Sequence, residues 1–426
     1  MNTFIRVASF LALWAASASA QPAPQPLTLE DCIRRAQAAQ SNVTIARQQA
    51  AIAHYGRIQA NANFLPQLSL GGLYGYNSPL PSDRSTFSYL SANGIREYST
   101  LGNIGLELDT SGRLRAQLAR AKADEAAAAA NLILSERDLK RAVSMSYYRV
   151  LLARRLVQVA RDNLAEAQAF EARSRLLVDN QEVARADLIK ASSQVAFFEQ
   201  AVNGSELEAK LANHDLASFW TQDVEGPLPL ADVLADPLPL PESQPPSAAP
   251  YLHRPEFRLF EAQKQGFSAD ARRARAELLP QLSLVQQYGF DSTRFSFADR
   301  GYATFVQLRV PVFDWFRARS ATRQSELQAN QVEVNRQMAE RAFSKEYRDA
   351  LARVDLLYSQ IAIAERQVKL SEDNLRLSRV RYEGGEGLAL DVVAAQTQLA
   401  QARVNYFTAK ANYLSAHVDL EVTAGK

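Results

Sequence analysis

Two aspartates, Asp187 and Asp391, stand out as candidate working groups. Each lies nine residues beyond an apolar or aromatic residue, Val178 and Tyr382, in matching stretches of a duplicated sequence. The later stretch, Tyr382-Glu-Gly-Gly-Glu-Gly-Leu-Ala-Leu-Asp391, contains Gly384, Gly385 and Gly387, which supply open or left-handed backbone for a turn between helices. The earlier one, Val178-Asp-Asn-Gln-Glu-Val-Ala-Arg-Ala-Asp187, has no glycine. A carboxylate near a helix start can simply cap that helix. Repeated twice per chain around an oligomer, the same carboxylates make a ring. Such rings set cation preference and can latch a pore through ion pairs.

Other chemistry is absent from the sequence. It holds no HExxH, GxSxG, P-loop or CxxC motif. His54, His214, His253 and His417 are far apart and share no ligand spacing. The three methionines give no soft-metal relay. Gly71-Gly72 and Gly384-Gly385 lack the strand–loop–helix context of a phosphate cradle. We therefore expect no enzyme activity, no cofactor and no metal. A net charge of +2 leaves no electrostatic footprint for nucleic acid.

The N-terminus reads as a secretory signal peptide over residues 1–20: Arg6, an apolar run to about Ala15, then Ala18-Ser-Ala20. No later stretch approaches the roughly 18 uncharged apolar residues of a spanning helix. A membrane-crossing form would have to be a closed β-barrel. The single cysteine, Cys32, excludes an intrachain disulfide. It lies well past the signal and reads as a buried thiol rather than a lipid anchor.

The elements that must position the aspartates come in two copies. Leu-Pro-Gln-Leu-Ser-Leu occurs at Leu65–Leu70 and again at Leu279–Leu284. Each copy ends a helical pattern at Pro66 or Pro280 and opens a stretch of period two. Leu68, Leu70, Tyr74 and Tyr76 share one face, then Ile104, Leu106 and Leu108. Leu282, Leu284, Tyr288 and Phe290 follow, and then Val306, Leu308, Val310 and Val312. Gln67, Ser69, Asn103, Glu107, Gln281, Ser283, Gln307 and Arg309 take the other face. Aromatic residues lie near the strand ends, as in a transmembrane barrel wall. An ordinary half-buried antiparallel sheet gives the same alternation.

We assign residues 21–221 to a first repeat, with strands at about 66–76 and 101–110 and helices at about 111–178 and 185–221. Residues 222–254 form a Pro-rich linker or equatorial region. Residues 255–426 form the second repeat, with strands at about 280–290 and 302–313 and helices at about 316–382 and 389–422. Each longer helix spans roughly 100 Å at ~1.5 Å per residue. In the second, Val354, Leu357, Ile361, Ala364, Val368, Ser371, Leu375, Ser378 and Tyr382 step by three and four. Leu356, Ile363, Leu370 and Leu377 form a second seam beside the first. Two seams on one helix suit a ring of helices.

The chain resembles the TolC-like outer-membrane factor family. The likeness rests on Leu27-Thr-Leu-Glu-Asp-Cys-Ile, the twin hexapeptide, Val310-Pro-Val-Phe-Asp-Trp-Phe-Arg, and Arg381-Tyr-Glu-Gly-Gly-Glu-Gly-Leu-Ala-Leu-Asp-Val. It implies a homotrimer in which each chain gives four strands to a 12-stranded barrel and its helices to a periplasmic tunnel. It also implies partnership with a periplasmic adaptor and an inner-membrane pump of RND or ABC type. In this family a tip Tyr, an Arg and two Asp close the tunnel. Tyr382 and Asp391 match the Tyr and the first Asp, whereas the Arg position is Gly387 and the second Asp position is Ala394.

The expected fold is thus a duplicated helix–strand–strand–helix–helix unit in an α+β membrane protein. The expected function is a passive exit duct in the bacterial outer membrane, with a large periplasmic extension, serving a tripartite efflux pump or a type I secretion system. A periplasmic coiled-coil adaptor is the alternative.

Overall fold

The computed structural model describes residues 26–81, 83–88, 94–240 and 249–425. The expected signal peptide lies outside the described residues.

Helix α1 (Leu29–Ala38) starts on a reciprocal cap: Asp31 N donates to Thr28 Oγ1 at 3.2 Å, and Thr28 N donates to Asp31 Oδ2 at 3.2 Å. The helical pattern then breaks at Ala39–Ser41 and restarts as α2 (Asn42–Ala62). Pro66 stops α2, and β1 (Gln67–Tyr76) follows at once. A hairpin of β2 (Pro79–Leu80) and β3 (Asp83–Ser88) comes next, then β4 (Arg96–Leu108). The segment between the two strands expected at about 66–76 and 101–110 therefore contains a hairpin and the start of β4. Tyr98, near that start, pairs with Tyr74 with ring centroids 5.1 Å apart.

Helices α3 (Arg113–Asp179) and α4 (Arg185–Ala217) complete the first unit. The second unit repeats the order: α5 (Pro255–Ala276), β5 (Gln281–Ser292), β6 (Gly301–Arg309), α6 (Arg317–Glu383) and α7 (Ala389–Thr423). β6 stops at Arg309, earlier than its alternation, because Pro311 has no N–H for a ladder.

β1, β4, β5 and β6 form one antiparallel sheet in that order, joined across the duplication by β4 and β5. Each long helix carries two shorter ones along its length: α2 and α4 lie on α3, and α5 and α7 lie on α6. The units meet where α3 packs on α5 and α7. No described helix is long and apolar enough to cross a membrane.

The main core lies at mid-height. Tyr147, Val150 and Leu151 of α3, Leu216 of α4, Val354 of α6 and Tyr413 of α7 meet Cys32 of α1 there. The Pro-rich segment packs into this core rather than merely spanning a gap. Leu234 is fully buried, and Leu27 pairs with Leu230 in a short parallel bridge. The segment offers carbonyls to the helices. Tyr147 Oη donates to Ala231 O at 2.6 Å, Arg154 Nη2 to Leu228 O at 2.7 Å and Tyr413 Oη to Pro239 O at 2.5 Å. Lys410 Nζ donates to the carbonyl of Leu234. Burial pushes the Cys32 thiol up to about 11.

Candidate functional site

The sheet has two chemically distinct faces, and its register defines them. Directly paired residues point the same way. One row holds Leu70, Gly102, Tyr288 and Tyr302; three residues along, on the opposite face, another holds Gln67, Gly105, Val285 and Phe305. Followed along every strand, one face carries Leu68, Leu70, Ile104, Leu106, Leu282, Leu284, Val306 and Leu308. Within units Leu68 stands opposite Ile104 and Leu282 opposite Leu308, and Leu106, Leu284 and Val306 form one row across the duplication. Many are bare to the surroundings: Leu70 is 79% exposed and Val306 71%. Gln286 and Thr304 fall on this apolar face, and they bond to each other. The other face carries Gln67, Ser69, Asn103, Glu107, Gln281, Ser283, Gln287, Gln307 and Arg309.

Aromatic clusters flank the apolar face. At one end Tyr74 meets Tyr98, Tyr98 meets Phe295, and Phe290, Phe295 and Phe297 contact one another. At the other, Phe313 meets Trp315 and Phe316, with centroids 4.9 and 5.9 Å away. Ten residues of strand separate Tyr98 from Leu108. That is roughly 33 Å of strand, or about 25 Å of height at a 40° tilt. Among the described residues, both outer strands, β1 and β6, keep an unpaired edge.

At the opposite end of the helices lie two turns of the same construction. In the second, Gly384 N donates to Val380 O, Gly385 N to Tyr382 O and Glu386 N to Arg381 O. In the first, Asn180 N donates to Leu176 O, Gln181 N to Val178 O and Glu182 N to Leu177 O. Both caps need one left-handed residue. Gly385 takes it with φ 75°, and Gln181 takes it with φ 63°. The first turn reaches the same geometry without glycine, since a side chain at that position is unfavourable but tolerable. Gly387 has a separate reason: a Cβ there would lie 3.0 Å from Tyr382 N.

Asp187 and Asp391 each occupy the third position of the helix that follows its turn. Asp391 is exposed, and its Oδ2 accepts from Leu388 N at 3.4 Å. Asp187 is half-buried and ion-paired to Lys190 at 3.1 Å. Tyr382 stands apart from both. It is 2% exposed, edge-on to Phe170 at 5.2 Å, with Oη donating to Ser174 Oγ at 3.4 Å. It anchors a second core with Leu177, Leu375, Val392 and Leu399. Its bond therefore joins α6 to α3 inside one chain, not to Asp391. Residues the sequence pattern did not single out tie the neighbouring turns of helix. Arg403 reaches Glu166 at 3.2 Å and Glu372 at 3.3 Å, and Gln194 Nε2 donates to Thr397 Oγ1 at 3.0 Å.

The lower part of α6 presents two stripes. Val354, Ala364, Ser371, Leu375 and Tyr382 are buried against the other helices. Leu356, Ile363, Leu370 and Leu377, seven residues apart, are between 52% and 63% exposed.

A family model described as outer membrane efflux protein matches residues 32–220 and 251–426. Among curated proteins, the probable efflux pump outer membrane protein SepC and the toluene efflux pump outer membrane protein TtgF, both of Pseudomonas putida, are each 26% identical over 377 residues. Each alignment covers 85% of this chain and 76% of the relative. Among solved structures, the crystal structure of CusC superposes with a TM-score of 0.82 at 22% identity, covering 93% of this chain and 92% of that one. The Campylobacter jejuni CmeC outer membrane channel superposes with a TM-score of 0.81 at 17% identity, covering 93% and 85%.

Proposed function

Because the chain belongs to the outer membrane efflux protein family, and so is a transport channel and not an enzyme, we propose that three copies close into a duct from periplasm to cell exterior. The observation that carries this reading is the sheet. Its four strands have a bare apolar face, aromatic residues at both ends and two unpaired edges. Four such strands cannot span a bilayer alone, because open edges leave backbone N–H and C=O groups unsatisfied in hydrocarbon. β1 and β6 run in opposite directions, so β1 of one copy can pair antiparallel with β6 of the next. Three copies give twelve strands. The exposed Leu356–Leu377 stripe supports the same assembly in the helical part, as a seam for a neighbouring copy.

The barrel is then the membrane anchor. Cys32 is fully buried, which argues against a lipid on its sulfur. The helices extend into the periplasm, and their turns meet an adaptor and an inner-membrane pump of RND or ABC type. The partner supplies the energy. The relatives' names favour an efflux pump over a type I secretion system. A periplasmic adaptor has no use for a lipid-type sheet, so that alternative falls away.

The aperture would lie at the turns, with Asp391 and Asp187 as candidate ring carboxylates. Tyr382 serves by fixing α6 against α3, and Gly384, Gly385 and Gly387 serve by shaping the turn. Purified protein should migrate as a heat-modifiable trimer and form channels in a planar bilayer; a soluble monomer would sink the duct. Asp391→Ala should raise conductance or weaken cation preference, and unchanged values remove Asp391 from the gate.

A further inference from the structure

The two units treat the junction between barrel and tunnel differently. In the first, the arginines that open the long helix are neutralised within the chain. Arg113 forks onto Glu107, with Nε to Oε1 at 3.0 Å, and Arg115 binds Asp109 at 2.9 Å. In the second, Arg317 opens α6 in the same way, but Pro311 and Phe313 stand, by distance from that arginine, where the first unit has Glu107 and Asp109. Asp314, the one acid of this turn, is committed to the helix start, accepting from Ala318 N at 2.8 Å. Arg309, the last residue of β6, lies on the polar face opposite Gln281. Among the described residues, neither Arg309 nor Arg317 has an ion pair.

Both line one open cleft of about 950 Å³ at the helical end of the polar face. Gln281, Ser283 and Gln307 share it, as does the already neutral Glu107–Arg113 pair. Glu277 is the remaining acid, so the free charge is two positive against one negative. A neighbouring copy does not correct this balance. The copy pairing with β6 would bring β1 and α2, and from Cys32 to Ser82 the chain has no Asp or Glu.

We propose that Arg309 and Arg317 form an anion-binding belt where the tunnel enters the barrel, taking oxyanions such as carboxylates and phosphates on cargo. The proposal rests on the duct reading above. Guanidinium groups fork onto carboxylate and phosphate oxygens, and a narrow passage lined by one sign of charge concentrates the opposite sign. This belt lies at the far end of the helices from the Asp391 turn, so one duct would carry an acidic entrance and a basic exit.

The test is planar-bilayer recording of the purified full chain under a KCl gradient, with citrate as the oxyanion probe. Arg309→Gln with Arg317→Gln should lower the chloride-to-potassium permeability ratio at least about twofold and relieve block by citrate. Pro311→Glu, which recreates the six-residue spacing of Glu107 and Arg113, should shift the ratio the same way. Heat-modifiable trimers with unaltered ratio and citrate block in both variants would overturn the belt while leaving the duct intact. A wild-type protein that forms no channels would overturn the duct and the belt with it.

Discussion

Placing an arginine at Leu70 and, in a separate protein, at the adjacent Ser69 should have opposite consequences. Leu70 pairs with Gly102, the middle residue of β4, and shares its row with Tyr288 and Tyr302. Ser69 faces the other way, in a row with Asn103, Gln287 and Ala303. An arginine near the bilayer midplane on a lipid-facing wall costs about 2–4 kcal/mol. Leu70 is 79% exposed, so no protein group within the chain would shelter the charge. With three copies per barrel, the penalty on assembly is roughly 6–12 kcal/mol, against close to none on the polar side. Refolding from urea into phospholipid vesicles reads this directly, with the trimer fraction scored on unheated gels. Leu70→Arg should fall to a small fraction of wild type while Ser69→Arg stays near it. Equal yields, or a worse Ser69→Arg, would refute the assignment of the two faces and the membrane-spanning sheet built on it.

The two turns permit a reciprocal swap. Gln181→Gly should stabilise the first turn by up to about 1 kcal/mol, and Gly385→Ala should cost the second about 1–2 kcal/mol. Amide exchange at the turns should slow in the former and quicken in the latter; no change at Gln181→Gly would show that its left-handed backbone carries no strain. Tyr413→Phe leaves Pro239 O without its buried donor and should cost about 1–3 kcal/mol, seen as a lower unfolding temperature. Cys32 should react with a disulfide reagent only on unfolding. Its folded pKa near 11 lies above the ordinary thiol value of about 8.5. The neutral thiol's contribution to stability is therefore complete below pH ~8.5 and erodes as pH climbs toward 11. Fast labelling of folded protein at pH 8 would contradict its burial.

What the sequence determined by itself is local and periodic. Alternation of period two marks which residues share a face, because successive side chains on a strand must point oppositely. Proline does the same for boundaries: Pro66 and Pro280 end a helix, and β1 and β5 begin one residue later, at Gln67 and Gln281. Long runs without proline mark the two 67-residue helices, since hydrogen bonding between residues four apart needs nothing from elsewhere. The tertiary structure decided what depends on partners distant in the chain. β4 meets β5, although α3, α4 and α5 separate them in sequence. Tyr382 looks like a tip residue by spacing, yet it is buried because Phe170 and Ser174 of α3 face it. The Pro-rich segment resembles a tether, yet its carbonyls complete buried donors on α3 and α7. Gln181 carries no sign of a left-handed turn; only the docking of two antiparallel helices imposes it. Periodicity reports which face of an element is apolar, but which neighbour covers that face follows from packing three-dimensional surfaces together.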